Sequence, residues 1–205
     1  MENLEEFWQK QHIDKTDWLT GTSFDSLLTQ YCLTEQSFNG LSCLEIGVGF
    51  GKITEKLSEL TAELHCCDIS SVALDRVKSW ALSTWFTDQL DQIPPVDIAI
   101  CHLVLVHCND MECQRILRSV QLKPTARLYC QFSGFKNSNL GIQQASPQVQ
   151  DMLAIDQKHF FRDSQHISNL IKKSGLFIER TWKQDPGNYH GWTNQMWHYY
   201  ELRKY

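Results

Sequence analysis

The sequence Leu44-Glu45-Ile46-Gly47-Val48-Gly49-Phe50-Gly51 decides the fold of this chain. An apolar run enters it, glycines occupy alternate positions at its end, and a helix-like segment follows over residues 52–57. Glycine lets the backbone turn sharply and lets a ligand approach main-chain N–H groups with no Cβ in the way. A strand, a glycine turn and a helix in this order usually form the floor of a site for a nucleotide-like ligand.

From residue 41 onward, short apolar runs alternate with amphipathic segments. This alternation predicts βαβ units and a largely parallel sheet with right-handed crossovers. The strand candidates are 41–46, 63–68, 96–101, 126–133, 175–182 and 195–203, with a weaker one near 83–87. The helix candidates are 52–60, 70–80, 109–120 and 162–173.

The last two strand candidates break the alternation, because no helical segment separates residues 177–182 from residues 197–202. The linker 184–188 is rich in turn-forming residues. Sequential strands without an intervening helix are most simply antiparallel. We therefore predict an α/β fold with a doubly wound, mostly parallel sheet of seven strands, one of them antiparallel near the C-terminus.

The first 40 residues differ from the rest of the chain. Apolar side chains fall at helix-like spacings on both sides of a break at residues 18–23. We predict a helical N-terminal segment over residues 1–40, followed by a single domain over residues 41–205.

Composition excludes several classes of function. The chain has 205 residues, a formal charge of −5 and no run of like charges. Binding to a nucleic-acid backbone usually requires a basic face, and none is visible in the order of residues. The acidic start lacks the apolar region of a signal peptide, and no apolar run approaches the roughly 18 residues of a membrane helix. We expect neither a nucleic-acid partner nor a membrane.

The eight cysteines are typical of reduced thiols. Cys66 and Cys67 are neighbours in a probable strand, where they point to opposite faces, so they suit core filling better than a mutual disulfide. No CxxC pair occurs, so we expect no structural zinc site and no other metal. These features favour a cytoplasmic protein.

Two acidic residues follow the glycine turn at the ends of strand candidates. Asp68 lies 17 residues beyond Gly51, close to the spacing of about 20 at which a carboxylate is placed to accept both hydroxyls of a ribose. Asp88 precedes the next strand, where a carboxylate would accept from an adenine amino group. Alternatives stay open for both: Asp68 as the cap of a helix that begins near Ser70, and Asp91 in place of Asp88.

These features together resemble the class I S-adenosylmethionine-dependent methyltransferases, over roughly residues 41–182. Residues 45–51 are similar to that family's (Asp/Glu)-x-Gly-x-Gly-x-Gly motif and differ from the Gly-x-Gly-x-x-Gly of dinucleotide-binding proteins. Residues 97–107 are similar to the family's fourth strand and the turn after it. The other similar segments are 122–128, where Thr125 and Ala126 replace two glycines of the family, and 159–177.

The resemblance implies a Rossmann-like fold, a lid formed by the N-terminal segment, binding of S-adenosylmethionine and release of S-adenosylhomocysteine. Glu45 and the backbone at Gly47 would hold the methionine end, and Asp68 would hold the ribose. Alternatives are a solvated carboxylate at Glu45 and an ordinary tight turn at the glycines. The adenine would be surrounded by Ile69, Phe86, Asp88 and Gln89. The resemblance also places at the cofactor Gly49, Gly51, Cys101 and His102.

The family transfers a methyl group in line from a sulfonium to a nucleophile, and a general base helps when the nucleophile carries a proton. His107, just after the fourth strand, is the candidate base, with a helix-start residue bonded to local backbone as the alternative. Flat apolar rings with polar tips suit a ring-bearing acceptor, although they would also suit a hydrophobic edge of the domain. On this basis the acceptor pocket is predicted to include Trp18, Tyr189, His190 and Trp192.

The leading hypothesis is a monomeric or homodimeric enzyme that methylates an oxygen or nitrogen atom of a small molecule, such as a sugar or natural-product intermediate. Residues 101–104 differ from the Asn-Pro-Pro-Tyr of enzymes that methylate adenine or glutamine, and no Pro-Cys occurs as in cytosine carbon-5 methyltransferases. Two alternatives are a non-catalytic S-adenosylmethionine-binding regulatory subunit and a protein methyltransferase. The retention of Glu45, the glycines and Asp68 favours the enzyme over the subunit.

Overall fold

The structure is a computed structural model, and it describes residues 4–14, 23–136, 160–186 and 194–204. Its contacts divide the chain into two compact units. The first comprises Met1–His102 and Ser119–Tyr129, and the second comprises Leu103–Arg118 and Cys130–Tyr205.

The first unit is built around parallel strands. Its strands are β1 (Ser42–Ile46), β2 (Glu63–Asp68), β3 (Ser83–Phe86), β4 (Val96–Cys101) and the first part of β5 (Leu122–Phe135). Its described helices are α1 (Leu4–Asp14), α2 (Phe24–Tyr31), α3 (Lys52–Leu60) and α4 (Ser71–Val77), with 3₁₀ turns at Glu35–Ser37 and Thr87–Gln92. The strand order is β3-β2-β1-β4-β5, and β1 pairs in parallel with both β2 and β4.

The second unit contains the remainder of β5 and the C-terminal elements. These are α5 (Asp110–Ser119), β6 (Phe161–Arg162), α6 (Ser164–Lys173), β7 (Leu176–Gln184) and β8 (Gln195–Lys204). Its strand order is β5-β8-β7, and the two-residue β6 pairs in parallel with β5. β7 and β8 are antiparallel, with a register irregularity between Ile178 and Arg180.

The central strands are apolar because both of their faces are buried. All five residues of β1 are buried, as are five of the six residues of β4. α3 presents Ile53, Thr54 and Leu57 to the interior and leaves its charged residues exposed, the usual pattern of an amphipathic helix. Glu45 is therefore an exception, since it is a charged residue type inside a buried strand.

The predicted fold is confirmed: the sheet is mostly parallel, its C-terminal strand pair is antiparallel, and the seven predicted strands are present. β6 is an additional strand that was not predicted. The predicted start of the fifth strand at residue 126 is wrong, because β5 already begins at Leu122. Lys123 anchors this extension, since its Nζ donates to Ser42 Oγ at 2.9 Å and to Asp97 Oδ2 at 2.8 Å.

The N-terminal prediction of helices is confirmed where the chain is described, by α1 and α2. The division into a lid and a domain at residue 40 stays a prediction. Among the described residues, no helix is long and apolar enough to span a membrane, and no group of three or more metal-binding side chains occurs. No disulfide joins the eight cysteines, all of which lie in the described ranges.

Candidate functional site

The glycine turn follows β1 and leads into α3. Gly47, Gly49 and Gly51 have φ angles of 82°, 52° and 80°, in the left-handed region that disfavours other residues. A Cβ at Gly51 would lie 2.9 Å from side-chain atoms of both Trp80 and Val77. The turn is therefore fixed by backbone conformation and by close packing, and not by loop length alone.

The turn lies where the sheet order reverses direction. β1 runs between β2 and β4, and all three strands are parallel, so their carboxyl ends meet at one edge. Open α/β sheets bind ligands in the crevice at such a point. Glu45, Asp68 and His102 lie at or next to these three strand ends, and all three are buried.

Asp68 connects the glycine turn to α4. Its side chain is 5% exposed, and its two carboxylate oxygens accept from Gly49 N at 3.2 Å and from Ser70 N at 2.9 Å. Burial raises the pKa of Asp68, while these backbone donors and the nearby His12 oppose that rise. The N-cap residue of α4 is Ser70, whose Oγ accepts from Ala73 N at 3.3 Å, so the alternative of Asp68 as the helix cap is wrong. The ribose role of Asp68 stays a prediction. Each oxygen retains capacity for a further donor, such as a hydroxyl.

Glu45 is 2% exposed, so the alternative of a solvated carboxylate is wrong. Its Oε2 atom has no hydrogen-bond partner among the described residues. Burial raises the pKa of Glu45 to about 8; the nearby Thr54 opposes this rise, and the Asp68 carboxylate adds to it. A buried carboxyl oxygen without a partner costs stability. An incoming cationic group would both pair with this oxygen and favour the ionised form.

α1 packs against the glycine turn through His12, which no motif indicated. His12 is 8% exposed and lies edge-to-face with Phe50, with ring centroids 5.4 Å apart. Arg76 of α4 donates to the carbonyl of His12 at 3.2 Å and to that of Gly49 at 3.3 Å, and lies 4.9 Å above the Phe50 ring. Burial lowers the pKa of His12, while the carboxylate of Asp68 opposes this effect. These contacts arise from tertiary packing and have no local sequence signal.

The predicted adenine residues lie at the neighbouring strand end. Phe86 is the partner of Asp68 in the β2–β3 register, and its ring is 41% exposed. The 3₁₀ turn Thr87–Gln92 follows directly and carries an exposed Asp88. Gln89 Oε1 accepts from Phe86 N at 3.1 Å, and Ile69 is half-buried beside Asp68. The structure thus brings an exposed aromatic face and an exposed carboxylate to the Asp68 end of β2 and β3.

His102 follows Cys101, the last residue of β4, and is 7% exposed. Its Nδ1 lies 3.3 Å from the hydroxyl of Tyr31 on α2. Its Nε2 has no hydrogen-bond partner among the described residues, and burial lowers the pKa of His102 to about 4. The imidazole is therefore neutral near pH 7.

The predicted acceptor residues are only partly described. His107 belongs to the second unit and is half-buried, and its backbone N donates to Val104 O at 2.9 Å. That bond fits the alternative of a local backbone role, and its function as a base stays a prediction. The other predicted acceptor residues, Trp18, Tyr189, His190 and Trp192, lie outside the described residues.

Residues 44–127 match the family model described as "Methyltransferase domain". The solved magnesium protoporphyrin IX methyltransferase ChlM from Synechocystis PCC 6803, with bound S-adenosylhomocysteine, is 18% identical with a TM-score of 0.59, covering 100% of this chain and 89% of that chain. The N-methyltransferase NodS from Bradyrhizobium japonicum WM9 is 16% identical with a TM-score of 0.63. The match covers 98% of this chain and 100% of that chain.

A further similar structure is an S-adenosylmethionine-dependent methyltransferase from Anabaena variabilis ATCC 29413, which is 16% identical with a TM-score of 0.64 and covers 97% of this chain and 93% of that chain. No curated protein matches the sequence significantly. The structural matches establish the fold, and the matched residues include the glycine turn, Asp68 and β4. The resemblance predicted from the sequence is confirmed: residues 44–127 match a methyltransferase domain, and the chain has the fold of solved S-adenosylmethionine-dependent methyltransferases.

Proposed function

We propose that this protein transfers the methyl group of S-adenosylmethionine to an oxygen or nitrogen atom of a small-molecule acceptor. The observation that carries the proposal is the pair of buried acids at the ends of β1 and β2. Glu45 offers an oxygen without a partner, and Asp68 is bonded to the glycine turn. This pair suits a ligand that carries an ammonium group at one end and two adjacent hydroxyls further along.

Different residues of the first unit bind different parts of the cofactor. Glu45 accepts hydrogen bonds from the ammonium group of the methionine end, and Asp68 accepts from the two ribose hydroxyls. Phe86 and Ile69 supply apolar surface for the adenine, and Asp88 accepts from its amino group. When bound, the cofactor supplies a methyl group on a positively charged sulfur. The protein's contribution is then to orient the reactants and to exclude water.

A small acceptor is supported by ChlM, and a nitrogen acceptor is supported by NodS, two proteins of similar fold. ChlM is named for its action on magnesium protoporphyrin IX, and NodS is named as an N-methyltransferase. We further propose that the acceptor is a sugar or natural-product intermediate. We also propose that the protein is cytoplasmic and forms a monomer or homodimer. The predicted pocket residues Trp18, Tyr189, His190 and Trp192 belong to the same proposal.

The test follows a label from the methyl donor. The protein is incubated with S-adenosylmethionine labelled in its methyl group and a protein-free extract of small molecules from the source cells. We expect label in the small-molecule fraction, strongly reduced in Asp68→Ala and unchanged in the matched control Asp75→Ala, an exposed acid of α4 outside the site. Cofactor binding without any transfer would favour the regulatory subunit, and label in protein would favour a protein methyltransferase.

A further inference from the structure

His102 is the first residue beyond β4 at the point where the sheet order reverses. Ile46 of β1 pairs with Cys101 of β4 in a parallel register. The next residues of these two strands, Gly47 and His102, therefore leave the sheet side by side. His102 adjoins the part of the turn that would hold the methionine end, which carries the reactive sulfur.

The imidazole of His102 is held on one side only. Tyr31 is fully buried, and its ring meets that of His102 edge-to-face, with centroids 5.6 Å apart and an interplanar angle of 76°. The Tyr31 hydroxyl lies at hydrogen-bond distance from Nδ1, whereas Nε2 has no partner among the described residues. A buried ring nitrogen without a partner is costly, and this cost points to a ligand that supplies the missing group.

The backbone directly after His102 has an unusual conformation. Leu103, directly after His102, has a φ of 57°, in the left-handed region that is unfavourable for a branched side chain. Such strain persists only where the surrounding structure enforces it, and it is frequent at functional sites. Here the chain bends immediately after His102, directly beyond the end of β4.

We propose that His102 Nε2 holds the nucleophile of the acceptor, accepting a hydrogen bond from its O–H or N–H and taking that proton as methyl transfer proceeds. The new bond joins the acceptor atom to the methyl carbon. The carbon–sulfur bond breaks, its electron pair stays on sulfur as a neutral thioether, and His102 later passes the proton to solvent. This inference rests on the proposed function. It gives His102 the role that the sequence assigned to His107.

A base at His102 Nε2 restricts the acceptors that the protein can methylate. If Nδ1–H donates to the Tyr31 hydroxyl, the lone pair remains on Nε2, and the ring can accept a proton-bearing nucleophile. A hydroxyl, or an amine that still carries hydrogen, meets this requirement. A tertiary amine or a thiolate does not, because it has no proton to donate. In this proposal Tyr31 is a positioning residue, since its hydroxyl accepts from Nδ1–H and so keeps the proton off Nε2.

The first test needs no acceptor. Nitrogen-15 NMR of histidine-labelled protein saturated with S-adenosylhomocysteine reports which ring nitrogen carries the proton, and the His102→Asn spectrum assigns the signal. We expect the proton on Nδ1 in the wild type and a larger share on Nε2 in Tyr31→Phe. A proton on Nε2 in the wild type would overturn the proposal, because an N–H group cannot accept.

The second test measures transfer into the small-molecule extract described above. We expect His102→Asn to slow transfer by at least about 100-fold, the usual scale of proton-transfer catalysis. Tyr31→Phe should slow it less, and both variants should retain wild-type affinity for S-adenosylhomocysteine. The matched control is His65→Asn, because His65 is also buried and bonded to a hydroxyl, Ser83 Oγ at 2.7 Å, yet lies within β2 away from the site.

Equal rates in His102→Asn and His65→Asn would overturn the proposal. So would a loss of cofactor affinity as large as the loss of rate, since His102 would then only line the cofactor. A larger loss in His107→Ala than in His102→Asn would restore His107 as the base. Failure of the wild type to bind the cofactor contradicts the proposed function instead, which keeps the two claims separable.

Discussion

Glu45 is the residue whose protonation the cofactor should change most. Its pKa of about 8 means that the carboxyl group is mostly protonated at pH 7. A cation placed against it favours the carboxylate and lowers its pKa. Binding should therefore release a proton, and affinity should rise with pH until about pH 8 and then level off.

Calorimetry with S-adenosylhomocysteine at pH 7, in two buffers of different ionisation enthalpy, measures this proton release. We expect nearly one proton per molecule bound in the wild type and a clear reduction in Glu45→Gln, which cannot ionise. The control Glu59→Gln changes an exposed acid of α3 and should behave as the wild type. If wild type and Glu45→Gln release equal numbers of protons on binding, Glu45 does not bind the methionine end of the cofactor.

The same carboxyl group should make stability depend on pH. Its folded pKa lies above the ordinary glutamate value of 4.5, so its contribution to the free energy of unfolding is fully present below about pH 4.5 and is lost as pH rises towards 8. Glutamine is neutral at every pH, so Glu45→Gln should not show this decrease in the free energy of unfolding as pH rises. The free energy of unfolding of Glu45→Gln, relative to wild type, should increase between pH 5 and pH 8, by up to about 1.4 kcal/mol per unit of pKa difference. Denaturant titrations at several pH values measure it, and a flat difference would contradict the buried, protonated Glu45.

Single residues were predictable where their signal is local. Glu45 and Asp68 sit at strand ends beside the glycine turn, so sequence order alone placed them. His12, Arg76 and Tyr31 have no such signal, because they reach the site from helices whose packing is a tertiary property.

At the scale of elements, the glycine turn allows a comparison of two positions with similar backbone. Gly49 and Gly51 both have positive φ, but a Cβ at Gly49 meets only His12 Nε2 at 4.0 Å, whereas one at Gly51 meets Trp80 and Val77 at 2.9 Å. Gly49→Ala should cost about 1–2 kcal/mol from the left-handed backbone alone. Gly51→Ala should cost a further 1–3 kcal/mol or so from overpacking. Equal losses in denaturant unfolding would show that the packing around Gly51 yields freely.

The attachment of α1 to the turn is a second prediction at this scale. Arg76 satisfies a carbonyl in the last turn of α1 and stacks on Phe50, so Arg76→Met removes both hydrogen bonds. Hydrogen exchange of the α1 amides should accelerate, while the amides of β1 and β4 stay protected. Lys78→Met is the control, because Lys78 is exposed at the C-terminal end of α4 and pairs only with Asp75 among the described contacts. Unchanged exchange in α1 would mean that other contacts hold the helix.

The sequence predicts an element well where apolar and polar residues alternate with a clear helical or strand period. α3 occupies the predicted residues 52–60, because its apolar face is distinct from its charged face. The early start of β5 depends on Lys123, Asp97 and Ser42, which are far apart in sequence. β6 has two residues, too few for any periodicity to be recognised.

At the scale of the whole molecule, the residues proposed to bind the cofactor belong to one compact unit, together with His102. Glu45, Asp68, His102 and the glycine turn all lie within Met1–His102, together with α1 and α2. One fold supports many functions, so the fold alone does not identify the acceptor. Side chains at the site decide the acceptor, and His102 is the described residue for which we propose a direct role in that choice.

The most direct measurement is a calorimetric titration with S-adenosylhomocysteine. We expect one molecule bound per chain at micromolar concentration, with a melting temperature that rises as ligand is added. Asp68→Ala should weaken binding at least about tenfold, because hydrogen bonds to a charged acceptor contribute about 1.5–3 kcal/mol each, and Asp75→Ala should not. Absence of binding at millimolar ligand, or equal affinity in Asp68→Ala and wild type, would contradict the assignment of this site to S-adenosylmethionine.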